Sequence, residues 1–371
     1  MAPRFFDRKD MDNLKRVMDS GRLSSIGGGT VTEEFEEAFK RKIGAKHAIA
    51  ANSAMSGLHV AVAAAGVGPG DEVIVDPIVH FAGIAVMYNN GVPIFADVDK
   101  KTHNIDPDSI RARLTPYTKA IICTHLWGLP CEMDAIMEIA AEHNLVVIED
   151  CAHALLAEYK GRYAGTLGHI GVFSFQQSKH LATGDGGMIV TNDDALFESI
   201  RVAWQFGATC EKLAWNYRIT EMASAVGLAQ LDHAEDYVWQ SRRAAEIHEE
   251  AISGCQWLVT QPVPEYSRHS HHFIVPVFYG DEYGIDYERF KRACSEAGVS
   301  ASFGYTQVPA YQYPLFAEPV AYGKGCPTHC PLYKGTLGYE KGSCPTAEEL
   351  IPRMMLILSL IHISEPTRQA E

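Results

Sequence analysis

Two side chains in this sequence have the type and the setting for carbonyl–amine chemistry. Lys179 sits in GVFSFQQSKHLATGDGG (Gly171–Gly187), in a polar turn after a short apolar run and just before a glycine-rich loop. Upstream, VVIEDCAHA (Val146–Ala154) ends an apolar, buried-looking run in an acid, Asp150. A lysine amine can form a Schiff base with a carbonyl, and a carboxylate can hold an aromatic ring nitrogen protonated. Pyridoxal 5'-phosphate (PLP) chemistry asks a protein for these two groups. Neither decides the matter alone. A lysine after a strand is ordinarily a surface residue, and an Asp at a strand end is commonly a cap.

The elements that must position them are legible in the apolar runs. EVIVD (Glu72–Asp76), PIFADV (Pro93–Val98), KAIICTHL (Lys119–Leu126), LVVIED (Leu145–Asp150), GVFSF (Gly171–Phe175) and GMIVTN (Gly187–Asn192) are Val/Ile-rich, are bounded by turn residues and predict strands. Between them, EMDAIMEIAAEH (Glu132–His143) puts Met133, Ile136, Met137 and Ala140 on one helical face. Asp106 and Pro107 predict another helix start, the Asp as cap and the Pro at the first position. Strands alternating with helices imply an α/β domain with a largely parallel sheet, and ligands of such sheets sit beyond the carboxyl ends of the strands, where Asp150 falls.

From Ala195 to Ala251 the pattern is mostly helical, and GLAQLDHAEDYVWQSRRAAEIHEEA is long enough to link two domains. After Gly254, Pro, Tyr and His become frequent; HHFIVPVFY (His271–Tyr279) predicts a strand, and DYERFKRACSEAGV (Asp286–Val299) a capped helix ending at Gly298. The division expected is a large domain over residues 1–244, with an N-terminal segment, and a small α+β domain over 245–357. LSLIHISEPTRQAE (Leu358–Glu371) resembles the translation of a sequencing adapter and index rather than a polar tail. The readable sequence is thus expected to end near Ile357, and no function is built on His362 or Arg368.

Composition narrows the function classes. The chain of 371 residues is 47% hydrophobic and 21% charged, an ordinary globular balance. No apolar run approaches the ~20 residues of a membrane span, and MAPRFFDRKDMDNLKRVM lacks an apolar signal core. A cytoplasmic protein is expected. A net charge of −14 argues against a nucleic-acid surface, and the Arg289, Lys291, Arg292 cluster reads as a solvated helix face. Nine scattered cysteines read as thiols. Cys326, His329, Cys330 and Cys344 lack regular zinc-ligand spacing, so no metal is expected.

From about Arg4 to Ile357, eight segments in order carry a resemblance: SGRLSSIGGGTVTEEFEEAF, ANSAMSGLHVAV, GVGPGDEVIVDP, TKAIICTHLWGLP, IEDCAHA, FSFQQSK, GDGGMIVTND and WNYRITEMASAVGLAQL. Together they make the chain similar to the DegT/DnrJ/EryC1/StrS family, PLP-dependent aminotransferases of nucleotide sugars and cyclitols. The resemblance implies an α/β fold of the PLP-dependent transferase fold type I (aspartate aminotransferase-like), with a large αβα domain and a small α+β C-terminal domain. It also implies a homodimer with an active site shared across the interface.

Residue by residue, the resemblance makes Lys179 the Schiff-base lysine, which also moves a proton between substrate and cofactor carbons. Such positioned acid–base help is worth roughly 10²–10⁴-fold. Asp150 would pair with the pyridinium nitrogen. His153 stands where the family often has Gln and would reach the cofactor's phenolic oxygen. Phosphate would be held by backbone N–H groups of the helix after Asn52, at Ser53, Ala54 and Met55, helped by the hydroxyls of Ser53 and Ser174. Ser53-Ala54-Met55 replaces the family's usual Ser-Gly-Thr, and Ser56 is a candidate for the missing hydroxyl. Phe81 matches the aromatic that stacks on the cofactor ring, and Gln176 falls in the cofactor-binding segment. Asn216 matches a residue that reaches the phosphate in the neighbouring subunit, with Tyr217 and Arg218 on the same shared edge. Related sugar dehydratases have histidine in place of the lysine; here His180 follows an intact Lys179, which disfavours elimination. Gly184, Gly186 and Gly187 mark a tight turn.

The function expected is transfer of an amino group from glutamate or glutamine to a keto group of a nucleotide sugar or a keto-cyclitol, in antibiotic or polysaccharide biosynthesis. FSFQQSK favours the scyllo-inosose branch. The alternatives are a non-catalytic regulatory member and a PLP-dependent dehydratase. Acceptor-binding residues are expected on the loops Gly304–Tyr313 and Tyr322–Cys330.

Overall fold

The computed structural model describes residues 5–26, 30–205, 210, 212–318 and 320–358. The adapter-like tail beyond Leu358, with His362 and Arg368, lies outside the described residues. The apolar runs form one seven-stranded sheet: β1 (His47–Ala51), β2 (Glu72–Val75), β3 (Val92–Phe95), β4 (Thr118–Thr124), β5 (Val146–Asp150), β6 (Ile170–Ser174) and β7 (Gly187–Thr191). Their spatial order is β1-β7-β6-β5-β4-β2-β3. Only β7 runs against its neighbours; the other pairs, from β6 through β3, are parallel.

Alternation within these strands explains why helices cover both faces. Val73, Val75, Ala120, Ile122, Ile148, Val172 and Ile189 pack on one side with α3 (Ala54–Ala64) and α4 (His80–Tyr88). Their neighbours Ile74, Ile121 and Val147 point the other way, toward Met133, Ile136, Ile139 and Ala140 of α6 (Met133–His143). Phe173, Met188 and Val190 meet Phe35 and Phe39 of α2 (Val31–Ile43) on that second face. Strands buried on both sides read as continuous apolar runs, as these do. On α6 the buried stripe includes Ile139, whereas Met137 is only half-buried. The helix over Pro107–Arg113, α5, is capped by Asp106 as the sequence predicts.

The C-terminal part departs from expectation in one place. HHFIVPVFY forms two short strands, β8 (Phe273–Ile274) and β9 (Val277–Phe278), rather than one. Pro276 lies between them; lacking an N–H, it cannot continue a ladder. A small sheet joins β8 and β10 (Ser302–Phe303) to the two sides of β11 (Met355–Leu358), with Leu358 paired to Phe273. The long helical stretch is also divided, into Glu221–Gln230, a 3₁₀ turn at Leu231–His233, and Ala234–Ala251. Ala234 and Val238 of the last helix pack with Phe35, Phe39, Phe173 and Met188, whereas Ala244 and Ala245 pack with Ile274, Cys294, Met355 and Ile357. Asp286 caps the helix Tyr287–Glu296. Cys123, Cys131, Cys151, Cys255, Cys294, Cys326, Cys330 and Cys344 are free thiols. Among the described residues no helix is long and apolar enough to cross a membrane.

Gly57 is where α3 meets the sheet most closely. A Cβ there would lie 2.7 Å from Val172 Cγ1 and 3.2 Å from Ile189 Cγ1, both branches of buried strand residues. Gly57→Val is expected to cost about 1–3 kcal/mol by overpacking and to lower the urea midpoint. An unchanged midpoint would show that α3 does not rest on the sheet at this point.

Candidate active site

Asp150 is the last residue of β5, and Lys179 follows the neighbouring β6 by one turn, so parallel pairing of these strands brings both to the same sheet edge. The turn is built locally. Lys179 N–H donates to Gln176 C=O at 2.9 Å, and the Gln176 side-chain carbonyl accepts from Ser178 N–H and Oγ–H, both at 2.7 Å. The glycine-rich loop folds back on Phe175, whose N–H bonds Gly186 C=O at 2.8 Å while its C=O accepts from Thr183 N–H at 2.9 Å. Gly184 has φ +95°, and a Cβ on Gly187 would lie 2.7 Å from Ser53 C and 2.8 Å from Ala54 N. The turn expected from the three glycines is therefore present, and Gly187 is the close approach that seats β7 against the start of α3.

These elements enclose a cavity of about 310 Å³. Its wall includes Ser53, Ala54, Met55, Phe81, Asp150, His153, Ser174, Gln176 and Lys179, nine of the ten site residues expected from sequence. Asn216 is not on this wall; it pairs as an isolated bridge with Gln205. Tyr217 places its hydroxyl 2.9 Å from His59 Nδ1 and stacks on Trp215. Leu58, Val79, Thr124, Asp185, Gly186 and Tyr305 also line the cavity.

The two charged groups perturb one another. Lys179 as a whole is half-buried, but loss of water around its amine pulls its pKa down to about 8, with the Asp150 charge opposing the fall. Burial raises the pKa of Asp150, against the pull of the Ala152 N–H, Lys179 and His125. The Asp150 Oδ1 accepts from that N–H at 3.0 Å. An amine with this pKa exchanges its proton near neutrality, as a nucleophile or proton carrier must.

Ser53 caps α3, accepting from Ser56 N–H at 3.1 Å. The first-turn N–H groups of Ala54 and Met55 have no intrahelical acceptor and lie at the cavity wall, an arrangement suited to an anion. Ser56 does not offer the spare hydroxyl expected of it: its Oγ–H donates to Asn52 Oδ1 at 2.6 Å and the residue is absent from the wall. Its Oγ also lies 2.9 Å from Ser53 Oγ, so it braces a wall residue rather than lining the cavity itself. His153 is 5% exposed and stacks between Trp127 and His272, and its Nδ1 has no hydrogen-bond partner among the described residues. Phe81 is 39% exposed, high for a core filler.

Sequence reading passed over Asp76, which ends the run EVIVD just as Asp150 ends LVVIED. Asp76 is wholly buried beyond β2. Its Oδ1 caps Ile78 and Val79 N–H at 2.9 Å each, and burial, reinforced by the charge of Asp150, pushes its pKa up to about 6. The repeated strand-end acid was the available signal. Glu149 turns to the opposite face from Asp150. It accepts from the N–H groups of Gly165, Leu167 and Gly168 at 2.6–2.7 Å and sits 2.9 Å from His125 Nε2. Because His125 Nδ1 accepts from Cys131 N–H, Nε2 carries the proton and donates to Glu149.

The profile of the DegT/DnrJ/EryC1/StrS aminotransferase family matches residues 6–329. GDP-perosamine synthase of Caulobacter vibrioides is 41% identical over 268 residues, covering 70% of this chain and 71% of that protein. A UDP-N-acetyl-3-dehydro-alpha-D-glucosamine 3-aminotransferase of Acidithiobacillus ferrooxidans is 35% identical over 295 residues, 78% of this chain and 76% of that one. Among solved structures, an aminotransferase from Psychrobacter cryohalolentis superposes with a TM-score of 0.82 at 32% identity, covering 96% of this chain and 93% of its own.

In the cofactor-free protein, acylation of Lys179 by an amine reagent, followed by mass spectrometry, is expected to reach half its maximal rate near pH 8, against about 10.4 for an ordinary lysine. The Asp150 carboxylate stabilises the ammonium form, so Asp150→Asn should lower that midpoint further. A rise, or a wild-type midpoint at the ordinary value, would contradict a buried Lys179–Asp150 pair.

Proposed function

Because the chain belongs to the DegT/DnrJ/EryC1/StrS aminotransferase family, we propose that this PLP-dependent aminotransferase of fold type I moves an amino group from glutamate or glutamine to the keto group of a nucleotide sugar. The observation that carries this reading is the juxtaposition of Lys179 and Asp150 in one cavity at the carboxyl edge of the sheet. GDP-perosamine synthase and the UDP-sugar aminotransferase among the relatives support a nucleotide-sugar acceptor. A keto-cyclitol is the second reading, favoured by the FSFQQSK segment.

The residues present fit PLP. The α3 N-terminus, with Ser53 and Ser174, offers donors for a phosphate; Gly187 leaves that end free of a side chain. Asp150 offers a desolvated carboxylate to a ring nitrogen, His153 Nδ1 an uncommitted polar atom to a ring oxygen, and Phe81 a flat face. When bound, PLP supplies an electron-accepting ring and a carbonyl carbon through which an amino group passes. Asp150 keeps negative charge where a protonated ring nitrogen needs it. Lys179, with its pKa near neutrality, takes up and returns the proton at the substrate carbon. Tyr305 and Phe81 also line the cavity.

We take Asn216 to complete the site of a partner subunit, in a homodimer. Its absence from the wall in a single chain and the 86% exposure of nearby Leu213 support this. The reading includes a division near residues 244 and 245, within the helix that contributes to both cores, and a cytoplasmic location, where amino-acid donors are at hand. An intact Lys179 disfavours elimination.

Added PLP is expected to give the protein a visible absorption band that glutamate or glutamine bleaches, and Lys179→Ala should neither form this band nor turn over. An aminated sugar nucleotide formed with retention of its hydroxyls would complete the assignment. Aminated inosose would move it to the cyclitol reading. A band indifferent to both donors would refute transamination.

A further inference from the structure

The segment His269–His272, of which only His271 and His272 fall in a strand expected from sequence, brings an imidazole to the lysine. His272 is fully buried, and its Nε2 lies 3.5 Å from Lys179 Nζ across 93 residues of sequence, at the long limit of a hydrogen bond. The ring is held on three sides. It stacks on His153 with centroids 4.7 Å apart and planes at 25°, meets Phe273 edge-on at 4.5 Å, and faces His180 at 5.6 Å. The backbone beneath it is fastened to the large domain through Ser270, whose N–H donates to Gly128 C=O at 3.0 Å and whose hydroxyl donates to His153 C=O at 2.8 Å.

We propose that His272 is a positioning residue for Lys179: a neutral imidazole whose Nε2 accepts a hydrogen bond from the lysine amine and favours its proton-carrying form. This rests on the reading of Lys179 as the amine that moves the proton. Around His272 the titratable groups are Lys179, His153 and His180; Asp150 faces Lys179. Burial first, then the lysine charge and the two other imidazoles, hold His272 far below the ordinary histidine range, which leaves the ring neutral. A neutral acceptor opposes the desolvation that drives the lysine proton off, without placing a second charge in the cavity. Because His272 enters from beyond the helix Ala234–Ala251, the seating of the small domain also bears on the lysine.

The test compares His272→Phe, which keeps a ring and loses the acceptor, with His272→Gln, which returns an acceptor near Nε2. In cofactor-free protein the Lys179 acylation midpoint should fall by about one pH unit in His272→Phe, the size of a hydrogen bond to a charged group, and recover in His272→Gln. A folded His272→Phe protein whose midpoint is unchanged or raised overturns the proposal. In PLP-loaded enzyme, kcat should fall about tenfold in His272→Phe with KM little changed and recover in His272→Gln; equal losses in both variants, or a loss confined to KM, overturn it. Should His272→Phe not fold, ring-nitrogen resonances of His272 in ¹⁵N-histidine-labelled protein decide: Lys179→Met should shift them, and unmoved resonances overturn the proposal. The acylation and resonance measurements need no PLP, so failure of the wild type to capture PLP would strike the proposed function alone.

Discussion

Burying an amine and a carboxylate together is the constraint on which the architecture turns. Either charge alone, taken out of water, costs several kcal/mol. Asp150 and Lys179 tolerate burial because strands β5 and β6 are parallel neighbours that deliver both to one edge. The lowered lysine pKa and the raised acid pKa are two views of the same desolvation, partly offset by their mutual attraction. An antiparallel β5–β6 pair would send the chain leaving β6 to the opposite edge of the sheet from the end of β5.

The neighbour of Asp150 holds that arrangement in place. Successive strand residues face opposite sides, so Glu149 turns away from the cavity. It ties down the connection between β5 and β6 through three backbone N–H groups and the His125 ring. With that connection fixed, the register of β6 is fixed, and so is the start of the lysine turn. Removing Glu149 would strand an imidazole N–H and three backbone donors in the interior, a far larger loss than one ion pair at the surface.

In the proposed reading, anion binding and proton handling fall to different parts of the molecule. The α3 N-terminus can approach a ligand closely because Gly187 carries no side chain where β7 passes it. Imidazoles at His153 and His272 line the inner side of the lysine, one from the loop after β5 and one from the chain after the long helix. That helix shares its apolar positions between two clusters, Ala234 and Val238 in one and Ala244 and Ala245 in the other.

Much of this was legible in the sequence because it is recorded locally. Continuous Val/Ile runs between helical periods predicted the parallel sheet, since strands buried on both faces need apolar residues throughout. Asp106–Pro107 and Asp286 announced helix starts through capping chemistry that spans only a few residues. Nine of the ten expected site residues came together because they sit at strand ends and in the turns and helix starts that follow them. Tertiary structure alone decided the rest. Pro276 divides a run that hydrophobicity joins, because its missing N–H matters only once a ladder is being built. Ser56 has the right type, but its hydroxyl is engaged by Asn52 and Ser53 instead of lining the cavity. Asp76 and His272 look like a strand-end cap and a strand residue until sheet order and chain packing bring one within the influence of the Asp150 charge and the other to Lys179. A sequence pattern reports what each residue needs from its neighbours along the chain. Desolvation and contact across 93 residues depend on which strands lie side by side, and that is settled only when the whole core closes.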